Sequence, residues 1–354
     1  MNEHSAIPAR IFRIAVGLVL LGWAFGGLAI NSKADEVPMI GQVPIPTMGG
    51  KQFWADELLF NQWRIQRNVI TGHCRLLDEG NRRVVWGTFP ECREKLEQIK
   101  REKNLPKMQG DVVLVLHGLG RSRASMSKTC DYLRKNGDYT VIAVGYPSTR
   151  RDIDGHARAL GRIVENLEGV DSVNFVAHSM GNIVIRRYLA QRKENEAATG
   201  LKPSGPKMGR FVMLAPPNHG SAVAAALKGN AVFETVAGKG AQELGADWKE
   251  LEKKLATPDF DFGIIAGGKK DGGGINPMLP GGNDGTISRG TTRLAGARDF
   301  AAVATMHSFI MSDAAALEYT LRFLQNGYFV SAESRQPIQD VTQPAEAATT
   351  AGKN

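Results

Sequence analysis

The sequence has 354 residues, of which 42% are hydrophobic and 23% are charged, with 40 glycines and 16 prolines. These values are typical of a globular protein and exclude a collagen-like or wholly disordered chain. A multi-span membrane protein is also excluded, because the sequence contains a single long apolar run. The formal net charge of +8 favours anionic surfaces, but the basic residues are too dispersed to predict nucleic-acid binding.

The apolar run extends from residue 14 to residue 30 and follows Arg10 and Arg13. At about 1.5 Å per residue it just reaches the length needed to cross a bilayer core. Residues 1–34 are therefore predicted to be a membrane anchor that leaves the remaining chain on the extracytoplasmic side. Ser32-Lys33-Ala34 resembles a cleavage site, so a cleaved signal peptide and a secreted or periplasmic protein remain an alternative, with a buried core helix as a third. Outside the cytoplasm Cys74 and Cys92 could form a disulfide.

Three regions follow the leader. Residues 35–60 are predicted to be a linker because their first part is rich in Pro and Gly, and the polar residues 331–354 are predicted to be a disordered tail. Residues 61–330 are predicted to form one folded domain. It begins with a predicted antiparallel meander, with strands near 63–69, 74–77 and 84–86, followed by a helix at 90–103. Buried strands are then predicted at 112–116, 141–144, 173–176, 211–214, 262–266 and 301–304. Between and after these strands, helices are predicted at 153–167, 182–191 and 313–324. Strands that alternate with helices predict an α/β fold with a mostly parallel sheet flanked by helices.

Ala177-His178-Ser179-Met180-Gly181 lies between a predicted strand and a predicted helix. A serine on such a sharp turn is exposed above the sheet, and small residues two positions before and after it leave room for neighbouring elements. Ala177 replaces the usual first glycine and adds only a methyl group. Ser179 is therefore the candidate nucleophile; the alternative is an ordinary serine in a connecting loop.

His117-Gly118-Leu119-Gly120 directly follows the first strand of the predicted parallel sheet. A glycine-rich turn at this place can direct backbone N–H groups at the oxygen of a tetrahedral intermediate. The backbone N–H groups of Leu119 and Met180 are the candidate oxyanion donors.

A serine nucleophile needs a base, and the base needs an acid that orients it. The order serine, acid, histidine on this kind of sheet favours His307 over His219 as the base, and His219 is assigned to the pocket or to bracing its loop. Asp284, which lies 23 residues before His307, is the favoured acid. The competing carboxylates are Asp261, Asp271 and Asp299.

The segments HGLG, AHSMG, APPNHGS, NDGTIS and ATMHS occur in this order between residues 110 and 329. Together they resemble the α/β-hydrolase superfamily, and within it bacterial triacylglycerol lipases and the related PGAP1-like esterases. The resemblance implies Ser179, Asp284 and His307 as the catalytic residues and Leu119 and Met180 as oxyanion donors. His117, Gly118 and His219 are predicted to be substrate-binding residues. The chemistry of these residues requires no metal and no cofactor; the alternative is a Ca²⁺ ion in the glycine-rich loop 271–284, as in some of the lipases that the sequence resembles.

The function predicted from these residues is a lipase or esterase that hydrolyses carboxylic esters through an acyl-enzyme. Residues 221–252 are long for a connection and are predicted to form an apolar lid, the alternative being a plain crossover helix. Acyl esters or lipids are the expected substrates, with membrane association and no nucleic-acid partner. The remaining alternatives are an acyltransferase with the same triad and a catalytically inert binding module.

Overall fold

The computed structural model describes residues 50–226 and 231–339, and within 50–51 and 231–237 the backbone alone. The predicted anchor or signal peptide at 1–34 lies outside the described residues, as do most of the predicted linker and tail. Among the helices that are described, none combines the length and the apolar character that a membrane span requires.

An antiparallel sheet of four strands in the order β1-β2-β3-β4 precedes the parallel part of the fold. The strands are β1 (Trp54–Phe60), β2 (Trp63–Asn68), β3 (Cys74–Leu77) and β4 (Arg83–Gly87). The meander predicted from Trp63 onward is confirmed. The linker predicted at 35–60 is wrong for residues 54–60, which form β1. Residues 55–60 are all buried, so β1 is covered on both faces and lacks the alternation that marks an exposed strand.

The main sheet has six strands in the order β10-β9-β8-β7-β5-β6, and each neighbouring pair is parallel. The strands are β5 (Asp111–Leu116), β6 (Thr140–Val144), β7 (Ser172–His178), β8 (Lys207–Leu214), β9 (Phe262–Gly267) and β10 (Asp299–Val303). The helices are α1 (Phe89–Glu102), α2 (Ser127–Asn136), α3 (Ile153–Glu165), α4 (Met180–Thr199), α5 (Ala222–Ala226), α6 (Ala231–Leu244), α7 (Trp248–Glu252), α8 (Arg289–Thr292) and α9 (Ala314–Asn326). The predicted mostly parallel sheet flanked by helices is confirmed.

Local signals explain where several helices begin. Thr88 and Glu91 form a reciprocal capping box at the start of α1, with a proline in its first turn. Asp152 accepts a hydrogen bond from an N–H of the first turn of α3, and Asp313 does the same for α9. α9 ends at Gly327, whose φ of 76° suits a glycine.

The sheet is buried on both faces and brings the ends of its strands to one edge. Large side chains such as Phe175 and Phe211 on β7 and β8 are fully buried. Because all six strands run in the same direction, the loops that follow β5, β7, β9 and β10 emerge at the same edge. Those loops carry the candidate site residues.

The chain continues past the predicted end of the domain. Ile338 is 2% exposed, and its N–H donates to the carbonyl of Ala297 at 3.0 Å. The N–H of Gln336 donates to Asp299 Oδ1 at 2.8 Å. The disordered tail predicted at 331–354 is therefore wrong for residues 331–339, where one apolar side chain anchors an otherwise polar segment.

Residues 221–252, the segment predicted as a lid, contain α5, α6 and α7. α6 is broken at Gly238, whose φ is 70°. A Cβ at Gly240 would lie 3.0 Å from Met180 Sδ, so this helix packs directly on the residue that follows Ser179.

The three cysteines are free and buried. Cys74 and Cys92, which the sequence allowed as a pair, are separate thiols here, and burial raises the pKa of Cys92 to about 11.

Candidate active site

Ser179 occupies a strained turn between β7 and α4. Its φ of 53° and ψ of −123° lie in a region that residues other than glycine rarely adopt, at a cost of about 1–3 kcal/mol. Two hydrogen bonds hold the turn: the Ser179 N–H donates to the carbonyl of Leu214 at 2.9 Å, and Asn182 Nδ2 donates to the Ser179 carbonyl at 2.9 Å. The serine therefore caps the N-terminus of a 20-residue helix, where the helix dipole favours negative charge.

Small residues around the turn are required by close contacts. A Cβ at Gly181 would lie 2.8 Å from the carbonyl oxygen of His117 and 3.0 Å from Leu116 Cβ. Ala177 is completely buried, paired with Leu116 on β5 and Met213 on β8. The sheet accommodates a methyl group at Ala177, whereas Gly181 has no space for one.

Ser179, His307 and Asp284 form one hydrogen-bonded chain. His307 Nε2 lies 3.0 Å from Ser179 Oγ, and His307 Nδ1 lies 2.7 Å from Asp284 Oδ2. All three residues are buried. Because the carboxylate can only accept, Nδ1 carries the proton, and Nε2 is free to accept the Ser179 hydroxyl proton.

The carboxylate of Asp284 is fixed on its other side. Its Oδ1 accepts the N–H groups of Thr286 at 3.0 Å and Ile287 at 2.7 Å. The His307 N–H donates to the Asp284 carbonyl at 2.9 Å, so backbone and side chain both join the two residues. This arrangement sets the position of the carboxylate before any ligand arrives.

The competing carboxylates are engaged elsewhere. Asp299 accepts three backbone N–H groups near the docked tail, Asp261 pairs with two arginines, and Asp271 closes a turn onto a neighbouring glycine. Of the four candidates, Asp284 is the one that the structure brings to His307.

The glycine-rich loop after β5 lies against Ser179. A Cβ on Gly118 would lie 3.1 Å from Ser179 Cβ. The N–H of Gly120 donates to Ser148 Oγ at 3.0 Å, whereas those of Leu119 and Met180 donate to no acceptor among the described residues. The two predicted oxyanion donors are therefore available, and Met180 is the first residue of α4.

His117 and His219 do not join the Ser179–His307–Asp284 chain. The His117 ring stacks on Tyr146 with centroids 4.2 Å apart, and burial lowers its pKa to about 4. The Tyr146 hydroxyl donates to the His117 carbonyl, so Tyr146 holds the start of the loop that follows β5. His219 is on the surface, with Nδ1 3.1 Å from Glu252 Oε1, and this contact ties the loop after β8 to α7. Both remain predictions as substrate-binding residues.

Two supporting residues were not singled out from the sequence. His178 Nε2 donates to the His307 carbonyl at 3.0 Å, and burial together with the nearby His307 ring holds the pKa of His178 well below its usual value. Asn182 binds the Ser179 carbonyl from the first turn of α4. Their signal is positional, because they lie one residue before and three residues after the serine. Nothing in their type identifies the role.

Met306 and Phe309 flank His307 on the surface and are 47% and 56% exposed. They place apolar side chains on the chain at both sides of His307. No group of three or more His, Cys, Asp or Glu side chains in the described parts of the chain is placed to hold a metal ion.

No family model and no curated protein matches the sequence. Solved structures do resemble it. The lipase BlEst2 of Bacillus licheniformis is 19% identical, with a TM-score of 0.43 over 58% of this chain and 48% of that one. Phospholipase PlaB from Legionella pneumophila is 19% identical, with a TM-score of 0.41 over 52% and 45%. A hydrolase from Oleispira antarctica is 15% identical, with a TM-score of 0.43 over 62% and 92%. The chain thus spans about half the length of the first two.

The sheet order, the strained serine between a parallel strand and a helix, and the acid and histidine that follow it in chain order are all present in one molecule. The chain has the α/β-hydrolase fold.

Proposed function

We propose that the protein is a serine carboxylic-ester hydrolase with Ser179 as nucleophile, His307 as general base and Asp284 as the acid that orients the base. The observation that carries the proposal is the continuous hydrogen-bonded chain, 3.0 Å from Ser179 Oγ to His307 and 2.7 Å from His307 to Asp284. Those distances are within the reach that proton transfer requires.

In the acylation step Ser179 Oγ attacks the ester carbonyl while His307 Nε2 takes the hydroxyl proton. The charge on the resulting oxyanion meets the N–H groups of Leu119 and Met180, at the positive end of α4. His307 then gives its proton to the leaving alcohol, and the acyl group stays on Ser179. A water molecule repeats the sequence, releasing the carboxylic acid and restoring the serine.

The substrate class follows from the surroundings of the site. Met306 and Phe309 present apolar surface beside the base, and α6 packs on Met180 through Gly240. We infer that residues 221–252 cover an acyl pocket and that esters with an apolar acyl chain, lipids included, are preferred. An anchor at 1–34 would place the enzyme on the extracytoplasmic face of a membrane, close to such substrates.

The decisive experiment is covalent labelling with a fluorophosphonate probe. The wild type is expected to be labelled, and Ser179→Ala is expected to be unlabelled. Ser172→Ala is the matched control, because Ser172 lies at the opposite end of the same strand and bonds Asp111. Equal labelling of Ser179→Ala, or no labelling of the folded wild type, would contradict the proposal. Hydrolysis rates across p-nitrophenyl esters of increasing acyl-chain length then test the acyl preference. The proposal expects the rate to rise with the length of the acyl chain.

A further inference from the structure

A cavity lies between the antiparallel sheet and the part of the protein that contains the six-stranded parallel sheet. Its volume is about 660 Å³, within the range of small-molecule sites. Its wall is formed on one side by the antiparallel sheet, with Trp54, Gln66, Arg75 and Arg83, and on the other by the segment before α2, by α2 and by the end of β6, with Arg123 and Arg134.

The lining is rich in arginine and poor in carboxylates. Arg75, Arg83 and Arg123 form no salt bridge with any described residue. Arg134 is neutralised by Asp131 at 3.1 Å, and these two complete the charged residues of the wall. Asp56 lies nearby but is already bound to Arg64 at 2.8 Å. The cavity is therefore lined by three arginines that pair with no described carboxylate, Arg75 and Arg123 half-buried and Arg83 at the exposed rim.

Arg75 is fixed and partly desolvated. Its Nε and Nη2 donate to Gln66 Oε1 at 3.0 and 2.8 Å, and its guanidinium lies 3.8 Å from the centre of the Trp54 ring. Burial, opposed by Asp56 and reinforced by the neighbouring Arg83 and Arg123, lowers the pKa of Arg75 to about 10. The Arg123 guanidinium is likewise half-buried and donates to Asn81.

Unbalanced cations in a confined space lower stability unless an anion joins them. Held guanidinium groups present N–H donors in the planar fork that suits a phosphate group. We propose that this cavity is a binding site for a phosphate-bearing anion, with Arg75, Arg83 and Arg123 as its ligands. The site is separate from Ser179, and its occupancy is measured by binding alone, so the proposal stands or falls independently of ester hydrolysis.

The first test is calorimetric titration of the full chain with pyrophosphate at constant ionic strength. Saturable binding is expected in the wild type, with a rise in Tm. Arg75→Gln and Arg123→Gln are each expected to weaken binding by about tenfold or more, as for loss of a charge-assisted hydrogen bond. Arg83→Gln, at the exposed start of β4, should weaken it as well.

Arg82→Gln is the matched control. Arg82 lies next to Arg83 in sequence, but its side chain is 86% exposed, pairs with Asp78 and does not line the cavity. It removes the same charge, so binding should be unchanged. An equal loss in Arg82→Gln, or no saturable binding by the folded wild type, would overturn the proposal.

The phosphate group could belong to a soluble metabolite or to a lipid headgroup. Co-sedimentation with phosphatidylcholine vesicles, with and without phosphatidic acid, distinguishes the two. Recruitment that requires phosphatidic acid and is displaced by pyrophosphate identifies a headgroup, and pyrophosphate binding without recruitment identifies a soluble ligand. Recruitment that persists in the Arg75→Gln and Arg123→Gln variants and in pyrophosphate would contradict this site.

Discussion

Replacing Asp284 by asparagine tests how the carboxylate acts. Its Oδ1 accepts two N–H groups, from Thr286 and Ile287, and its Oδ2 accepts His307 Nδ1–H. An asparagine keeps the shape but can accept with one atom only. The fixed N–H groups of Thr286 and Ile287 both donate to the amide oxygen, so the amide NH₂ faces His307. The imidazole must then accept at Nδ1 and carry its proton on Nε2, towards Ser179.

In that tautomer Nε2 cannot accept the serine proton, and the base is lost while the positions of the atoms are kept. A change of tautomer of this kind lowers kcat by about 10⁴. At 1.36 kcal/mol for each factor of ten, this is about 5 kcal/mol of transition-state stabilisation. KM should change little, because Asp284 is placed behind the base and does not contact substrate in the proposed mechanism.

The assay is steady-state hydrolysis of a p-nitrophenyl ester, accompanied by thermal unfolding to establish that the variant is folded. Asp271→Asn is the matched control, since the one hydrogen bond of the Asp271 side chain within residues 50–226 and 231–339 is to the nearby Gly273 N–H. Its activity should equal that of the wild type. A folded Asp284→Asn enzyme within about tenfold of wild-type kcat, or a comparable loss in Asp271→Asn, would refute this account of the acid.

Two further predictions concern the supports of the site. Gly181→Ala places a Cβ 2.8 Å from a backbone carbonyl oxygen, so it should lower the free energy of unfolding in urea by about 1–3 kcal/mol and slow ester hydrolysis. A Cβ at Gly290 meets nothing within 4 Å, so Gly290→Ala should lower the unfolding free energy far less. Equal losses in the two variants would contradict the crowding at Gly181. His117 and His156 are buried and neutral, and burial lowers their pKa values from 6.5 to about 4 and about 3. Below pH 6.5 the unfolded chain therefore binds protons that the folded chain does not, so the unfolding free energy should fall towards pH 4, by about 3 kcal/mol from His117 alone. Denaturant titrations across this range check the sign, and an unfolding free energy that stays constant or rises as the pH falls would contradict it.

The parallel sheet and the serine–histidine–acid chain could be predicted because both depend on local signals. Continuous apolar runs such as 112–116 are typical of strands covered on both faces, and the β7-turn-α4 sequence limits which serine can be exposed. The order of residues along the chain then left one favoured histidine and a few carboxylates. The sequence alone does not distinguish among those carboxylates by distance; in the structure, Asp284 is the one that hydrogen-bonds His307.

The features that could not be predicted depend on partners distant in sequence. β1 carries Asp56 and Glu57 at buried positions, which argue against a buried strand when the segment is considered alone. Their charges are compensated by Arg64 on the next strand and by Arg162 on α3, and only the folded chain brings Arg162 to Glu57. The docked Ile338 and the arginine-lined cavity have the same origin. The residues of both features lack a distinctive local sequence pattern, and their contacts arise only when the fold brings them together.

The antiparallel sheet is part of the support of the candidate active site. The Asp56 N–H donates to the Gly145 carbonyl at 2.8 Å, and the Asp56 carboxylate accepts the Gly145 N–H at 2.7 Å. The next residue, Tyr146, donates its hydroxyl to the carbonyl of His117, at the start of the loop that carries the Leu119 N–H. A continuous set of contacts therefore leads from β1 to the oxyanion donors. Because the conformation of this loop depends on these buried contacts, we expect the antiparallel sheet and the parallel-sheet region to act as one structural unit.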